Sequence, residues 1–218
     1  MKKRVVAPLN HRGHTQHTMD SLKKLIRSEG LNLGNGILKV DSILNHQIHP
    51  RLMREMGEAM AAQFSGVRID RILTAEISGI GPALMTGMVL DVPVVYARKK
   101  KPITMAGPVF LETAPSHTKG GDVPLLVSAE FLHEGENVLI VDDFLATGKT
   151  LMALARICKS AKANLVGVGV VVEKSFENGR EMMLNAGYTI PIHALVTIAH
   201  MANYPNGPIT LADDEPIA

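Results

Sequence analysis

An acidic pair, Asp142–Asp143, follows the apolar residues 138–141 in the stretch VLIVDDFLATGKT. The P-loop pattern G-x-x-x-x-G-K-[ST] resembles this stretch, but it requires a glycine at position 143. A carboxylate at that position would repel the phosphates that a P-loop binds. The stretch therefore does not predict a nucleoside triphosphate site.

Small residues and hydroxyl groups follow the acidic pair at the start of a predicted helix. These residues are Ala146, Thr147, Gly148, Lys149 and Thr150. Backbone N–H groups at a helix N-terminus bind anions, so the segment predicts a phosphate site. The two carboxylates, about one turn earlier, can accept hydrogen bonds from a vicinal diol, which predicts a ribose phosphate as the ligand. A helix cap or a response-regulator-like acidic pocket is the alternative interpretation.

Two more candidate anion sites follow predicted strands. Ser78, Gly79 and Gly81 lie in the turn EISGIG, where glycine would let backbone amides approach a pyrophosphate. A plain tight turn is the alternative there. Arg98 and Lys99 begin the run RKKK, in which four adjacent cations predict either an anion site or an exposed basic loop.

A candidate site for an aromatic base follows the apolar run LVGVGVVV. Lys174 can donate a hydrogen bond to an exocyclic oxygen, and Phe176 can stack on a purine. The alternative interpretation is a surface lysine beside a core phenylalanine.

Short apolar runs alternate with helix-length segments along most of the chain. Strands are predicted at residues 36–40, 71–75, 92–97, 138–141 and 165–172. Helices are predicted at residues 20–30 and 50–64, and near residues 83–90, 149–161 and 178–186. This alternation predicts a doubly wound α/β fold, with a mainly parallel sheet that helices cover on both faces. Ligands bind beyond the carboxyl ends of such strands, so the candidate sites should lie together.

Three other features concern domain organisation. Residues 98–125 are rich in Pro, Gly, Thr and Lys without helical periodicity, and so long a connection predicts a flap or hairpin. Residues 1–18 contain four basic residues and no acid, and we expect them to form a disordered basic extension. No linker divides residues 19–218, which predicts a single domain.

Composition and charge limit the function classes. The longest apolar run, at residues 165–172, is too short to cross a bilayer, so no membrane partner is expected. The net charge of +2 includes the basic extension, and the remaining residues have 19 basic against 21 acidic side chains. Nucleic-acid binding is therefore not expected of the folded part. The single cysteine, Cys158, is predicted to be a buried apolar residue in a cytoplasmic protein.

The stretch VLIVDDFLATGKT resembles the 13-residue signature of the type I phosphoribosyltransferases. The resemblance implies their fold, with a flap and a small hood built from the N- and C-terminal segments. It implies that Asp142 and Asp143 contact the ribose hydroxyls of phosphoribosyl pyrophosphate, while residues 146–150 hold its 5′-phosphate. It also implies pyrophosphate binding by Ser78, Gly79 and Gly81, and by Arg98 and Lys99 from the same chain or across a dimer interface. Mg²⁺ bound with the pyrophosphate, rather than by a protein metal site, is the implied cofactor, and a homodimer is the implied assembly.

Within this family, three stretches resemble the bacterial enzymes that use xanthine. They are LKVDSILNHQIHP at residues 38–50, VPVVYARKKK at residues 92–101 and VVVEKSFENGR at residues 171–181. The resemblance implies that Leu38 and Asn45 form a lid over the base with Lys174 opposite. It implies transfer of the phosphoribosyl group to xanthine, giving xanthosine 5′-monophosphate and pyrophosphate. Thr147 and Lys149 depart from the Asn and Gln expected there, but both remain suitable phosphate ligands. The alternatives are another purine base, orotate, or a regulator that senses phosphoribosyl pyrophosphate.

Overall fold

A computed structural model describes residues 12–115 and 121–214. The helices in these residues are α1 (Arg12–Glu29), α2 (Pro50–Gln63), α3 (Ile80–Leu90), α4 (Lys149–Ser160) and α5 (Gly179–Asn185). The strands are β1 (Leu31–Asn32), β2 (Leu38–Lys39), β3 (Arg71–Ala75), β4 (Val94–Ala97), β5 (Val109–Pro115), β6 (Asp122–Ser128), β7 (Asn137–Leu145), β8 (Asn164–Lys174), β9 (Ile192–Met201) and β10 (Ile209–Leu211). Short helical turns occur at Asp41–Asn45, Ser175–Glu177 and Ala212–Asp214.

The central sheet has six strands in the order β10-β9-β8-β7-β3-β4. Neighbouring strands from β9 to β4 run parallel, and only β10 at one edge pairs antiparallel. The first and second halves of the chain extend the sheet in opposite directions from the β3–β7 pair. The predicted doubly wound, mainly parallel α/β fold is therefore confirmed.

Alternate residues of β7 point to two separate cores. Leu139 and Val141 pack on one face with α2 and part of α1. Val138 and Ile140 pack on the other face with α4. A strand that is buried on both faces must be apolar at successive positions, which explains the continuous run VLIV. Cys158 lies in the second core, and burial raises the pKa of its thiol to about 12.

The predicted flap is a β-hairpin. Strands β5 and β6 pair antiparallel from Val109↔Ser128 to Pro115↔Asp122, so the paired segment extends past the predicted boundary at residue 125. An isolated bridge joins Arg98 to Leu126 at its base. The hairpin lies beside α4 at the edge of the second core, because Leu125 and Val127 bury their side chains there.

The first and last described segments form a small hood. The Asn32 side chain donates to the carbonyl oxygens of Ala202, at 2.7 Å, and Gly207, at 3.3 Å. Lys23 also pairs with Asp213 in the last helical turn. Polar contacts therefore tie the β1–β2 segment and α1 to the C-terminal residues, for which the sequence predicted no elements.

Helix α1 begins at Arg12, inside the predicted basic extension, and the predicted disorder of residues 1–18 stays a prediction. Residues 12–18 are helical, because the helix that contains the core residues Leu22 and Ile26 continues toward the N-terminus beyond Asp20. Residues 1–11 lie outside the described part, and the assignment of residues 19–218 to one domain stays a prediction. Among the described residues, no helix combines the length and the apolar character needed to span a membrane.

Candidate active site

A cavity of about 430 Å³ lies at the carboxyl ends of β3, β7 and β8. It contains most of the residues that the sequence singled out. They are Leu38, Asn45, Ser78, Gly79, Lys99, Asp142, Asp143, Ala146, Gly148, Lys149, Thr150 and Lys174. The prediction that separate motifs lie together is therefore confirmed as geometry, whereas the role of each residue stays a prediction.

The acidic pair lies at the end of β7, with its two carboxyl groups in different environments. Asp142 is buried, with 4% of its surface exposed, and its Oδ1 accepts a hydrogen bond from the Asp143 N–H at 3.0 Å. Burial, together with the neighbouring Asp143 carboxylate, raises the pKa of Asp142 well above its usual range. Asp143 is only partly buried, so it is the more accessible acceptor for ligand hydroxyl groups.

The predicted phosphate segment leads into the N-terminus of α4. Gly148 adopts a left-handed conformation with φ of 76°, and a Cβ there would lie 2.8 Å from the Gly179 carbonyl oxygen. Both constraints favour glycine. Lys149 is the first helical residue, where the helix dipole disfavours a cation. A bound phosphate at this position would reverse that unfavourable interaction.

The turn after β3 passes directly over the acidic pair. A Cβ on Gly79 would overlap Asp142 Oδ1 and Thr74 Oγ1, so only glycine fits. The turn contains a cis peptide bond between Glu76 and Ile77. The Lys99 N–H donates to Glu76 Oε1 at 2.7 Å and so connects this turn to the basic run.

The side of the cavity predicted to hold a base contains a network around Lys174. Its Nζ donates to the Gly36 carbonyl oxygen at 2.8 Å and to Glu177 Oε1 at 2.8 Å. The same ammonium lies 5.8 Å from the centroid of the Phe144 ring. Lys174 therefore contacts the hood directly, and its predicted position opposite the lid residues stays a prediction.

The lid residues come from different elements. Leu38 lies in β2 with 8% of its surface exposed, whereas Asn45 is exposed at the end of the π-helical turn Asp41–Asn45. Leu38 can only pack against a ligand, and Asn45 can both donate and accept hydrogen bonds.

Four predicted site residues do not line this cavity: Gly81, Arg98, Thr147 and Phe176. Phe176 packs against the first core, as its alternative interpretation stated. Arg98 lines a second cavity of about 550 Å³, together with Tyr96 and Phe131. Its guanidinium carbon lies 5.8 Å from the centroid of the Tyr96 ring.

Comparison with known proteins identifies the family. The phosphoribosyl transferase domain model matches residues 41–188, which include the acidic pair, the phosphate segment and Lys174. The chain belongs to the phosphoribosyltransferase family. The family resemblance predicted from VLIVDDFLATGKT is thereby confirmed, and the chain is a transferase.

Curated phosphoribosyltransferases are similar over most of the chain. Xanthine phosphoribosyltransferase from Deinococcus deserti is 50% identical over 183 residues, which cover 84% of this chain and 94% of that protein. The Oceanobacillus iheyensis enzyme of the same name is 46% identical, over 82% of this chain and 92% of that protein. The predicted resemblance to enzymes that use xanthine is therefore confirmed.

Solved phosphoribosyltransferases share the fold. Adenine phosphoribosyltransferase from Rhodothermus marinus superposes with a TM-score of 0.68 at 23% identity, over 84% of this chain and 99% of that chain. Adenine phosphoribosyltransferase from Trypanosoma brucei, in complex with AMP, pyrophosphate and ribose-5-phosphate, gives a TM-score of 0.67 at 21% identity, over 81% of this chain and 79% of that chain. These similarities confirm the predicted type I fold.

The structure adds residues to the site that sequence analysis did not propose. Glu177, Gly36 and Phe144 line the cavity around Lys174. Glu177 follows Lys174 at a spacing of three residues, which is a usable signal for a paired charge. Gly36 is distant in sequence and carries no comparable signal.

Proposed function

We propose that the protein transfers the phosphoribosyl group of phosphoribosyl pyrophosphate to xanthine, giving xanthosine 5′-monophosphate and pyrophosphate. The observation that supports this function is the composition of the cavity at the carboxyl ends of β3, β7 and β8. A helix N-terminus, an acidic pair, a glycine turn and an amide–lysine set all line it. These four groups suit a phosphate, a diol, a leaving group and an oxo base.

Each part of the sugar donor has chemically suitable partners. The ribose hydroxyls donate to Asp142 and Asp143, and the 5′-phosphate accepts hydrogen bonds from backbone and hydroxyl groups of residues 146–150. The pyrophosphate lies against the amides of the turn at Ser78 and Gly79, beside Lys99. This arrangement keeps the two anionic groups of the donor on different elements of the fold.

The reaction requires positioning more than covalent chemistry. A bond forms between a purine ring nitrogen and C1 of the ribose while the bond from C1 to the pyrophosphate oxygen breaks, and the base loses a proton. Charge develops on the leaving pyrophosphate and on an oxocarbenium-like sugar, which fixed charges and dipoles stabilise. The β5–β6 hairpin lies at the cavity, where Val123 and Leu125 contribute apolar lining that can exclude water from the activated sugar.

Mg²⁺ is the proposed cofactor. Among the described residues, no group of three or more His, Cys, Asp or Glu side chains is arranged as a metal site. Asp142 and Asp143 together supply only two carboxylates, which fits a cation that is bound mainly by substrate oxygens and water. When bound, Mg²⁺ would neutralise charge on the leaving pyrophosphate.

We also propose a homodimer in the cytoplasm. Arg98 lies outside the cavity, and Tyr96 and Phe131 beside it are 40% and 51% exposed. Exposed aromatic side chains near an arginine are frequent at protein interfaces. A partner subunit at this surface would allow Arg98 to act across the interface, which is one of the two arrangements that the family resemblance allows.

A panel of bases tests the proposed reaction. Purified protein with Mg²⁺ and phosphoribosyl pyrophosphate should convert xanthine faster than hypoxanthine, guanine, adenine or orotate. Release of pyrophosphate and formation of the nucleotide are measured separately, because hydrolysis of the donor would release pyrophosphate without product. Turnover of adenine or orotate alone would contradict the proposal. Asp143→Asn should raise the KM for phosphoribosyl pyrophosphate.

A further inference from the structure

Lys174 is held in one position by two acceptors from different parts of the chain. Its Nζ lies 2.8 Å from the Gly36 carbonyl oxygen in the hood and 2.8 Å from Glu177 Oε1. The Lys174 and Glu177 side chains are 12% and 21% exposed, so water weakens this ion pair less than it weakens a surface pair. Of the three N–H donors of the ammonium, two are directed at these acceptors, and the third remains for a ligand.

Glu177 itself is fixed by the short helical turn Ser175–Glu177. The Ser175 hydroxyl donates to the Ile198 carbonyl oxygen at 3.1 Å and anchors this turn to β9. On the other side, Gly36 has a positive φ of 72°, and a Cβ there would lie 3.3 Å from Glu177 Oε1. The carboxylate therefore occupies a narrow gap between the sheet and the hood.

The charge of Glu177 also changes what the site can bind. An unpaired lysine would favour an anionic base that carries a carboxylate, such as orotate. A Lys–Glu pair is neutral overall and still presents an N–H donor. A neutral purine that carries an oxo group suits this pair, because the oxo oxygen accepts the third N–H. Adenine offers an amino group at the corresponding ring carbon and cannot accept it.

We propose that Glu177 is a positioning and specificity-determining residue for the base. By holding the Lys174 ammonium against Gly36, its carboxylate directs the remaining N–H toward an oxo group of the purine. This inference rests on the proposed function, since it concerns the base of that same reaction. It adds a residue that lies outside the acidic pair, the glycine turn and the phosphate segment.

Substitutions at Glu177 test this role through the two substrates separately. Glu177→Leu should raise the KM for xanthine about tenfold, as expected for loss of a charge-assisted hydrogen bond of about 1.4 kcal/mol, and should change the KM for phosphoribosyl pyrophosphate less than about twofold. Glu177→Gln keeps an acceptor oxygen at the same reach and should restore part of the xanthine affinity, namely the part that depends on the hydrogen bond and not on the charge. Glu181→Leu, at an exposed glutamate outside the cavity, is the matched control and should resemble the wild type.

Three results would overturn the proposal. They are an unchanged xanthine KM in Glu177→Leu, equal changes in both KM values, or a Glu177→Gln variant as impaired as Glu177→Leu. If Glu177→Leu does not fold, Glu177→Asp replaces it, since its shorter stem withdraws the carboxylate and should raise only the xanthine KM. A wild-type protein that does not use xanthine would instead refute the proposed function, so the two failures are distinguishable.

Discussion

Thr74 is a buried side chain whose replacement should stabilise the protein. The residue is 0% exposed, and its Oγ1 has no hydrogen-bond partner among the described residues. A Cβ added to Gly79 would overlap both this Oγ1 and Asp142 Oδ1, so the hydroxyl borders the same turn as the acidic pair. A buried polar group without a partner is rare, and it requires an explanation in terms of stored strain, function or a bound molecule.

The expected magnitude follows from the cost of that hydroxyl. A buried unsatisfied polar group costs about 1–3 kcal/mol, so Thr74→Val, which has nearly the same shape, should raise the free energy of unfolding by about 1 kcal/mol. For a chain of this size, the corresponding rise in Tm is about 2–4 °C. Thr86→Val is the matched control, because Thr86 is equally buried but donates to the Pro82 carbonyl oxygen at 2.8 Å. Loss of that bond should lower the free energy of unfolding by about 1 kcal/mol.

Denaturant unfolding of both variants, with kinetics on the same samples, is the assay. If the Thr74 hydroxyl serves the ligand-bound site beside Asp142, the more stable Thr74→Val should also have a higher KM for phosphoribosyl pyrophosphate. Thr74→Ser, which keeps the hydroxyl, should recover that KM. Destabilisation of Thr74→Val to the same extent as Thr86→Val would show that Thr74 has a partner, and the reasoning would fail.

Three further substitutions probe the site and the sheet that carries it. Gly179→Ala should raise the KM for phosphoribosyl pyrophosphate, because a Cβ there overlaps backbone atoms of residues 146–150, and kinetics of this variant would show whether α5 supports that segment. Asp142→Asn should raise Tm while lowering activity. The raised pKa of Asp142 means that the wild type loses stability as the pH rises above the ordinary value of 3.8, so the gain in Tm should grow with pH. The hydrogen bond from Arg71 lowers the pKa of Glu136, which stabilises the fold above the ordinary value of 4.5 and is lost as the pH falls through the lowered pKa. In Glu136→Gln, Tm should therefore depend less on pH between about pH 5 and pH 3 than in the wild type.

Strands β3, β4, β7 and β8 were predictable because a strand inside a parallel sheet must be apolar on both faces. Strand β3 was predicted with the bounds that the structure has, Arg71–Ala75. Strand β9, Ile192–Met201, was missed, because histidines and a threonine interrupt the apolar positions of its run IHALVTIAHM. The hood was also beyond sequence patterns, since strands of two residues such as β1 and β2 carry no periodicity.

The residues of the candidate site also differ in how clearly the sequence indicated them. Asp142, Asp143, Ala146 and residues 148–150 could be grouped from the sequence because they lie in one short stretch, at the end of β7 and the start of α4. Glu177 and Gly36 meet only because β8 ends beneath the hood, so neither residue alone indicates the contact. Arg98 and Lys99 are adjacent in the sequence and were grouped there as one candidate site. In the structure Lys99 lines the site cavity, whereas Arg98 lines the second cavity.

Opposite charges at the site come from different elements of the fold. The acids lie at the end of β7, while Lys99 and Lys149 lie beyond β4 and at the start of α4. The hydroxyl groups of a sugar would face the carboxylates, and the anionic oxygens at its two ends would face the lysines. A donor that lacks either anionic end would leave one of these lysines without a ligand oxygen, so we expect the charges to favour the complete donor. A ribose 5-phosphate without the pyrophosphate should consequently bind more weakly than phosphoribosyl pyrophosphate, and competition kinetics would measure the difference.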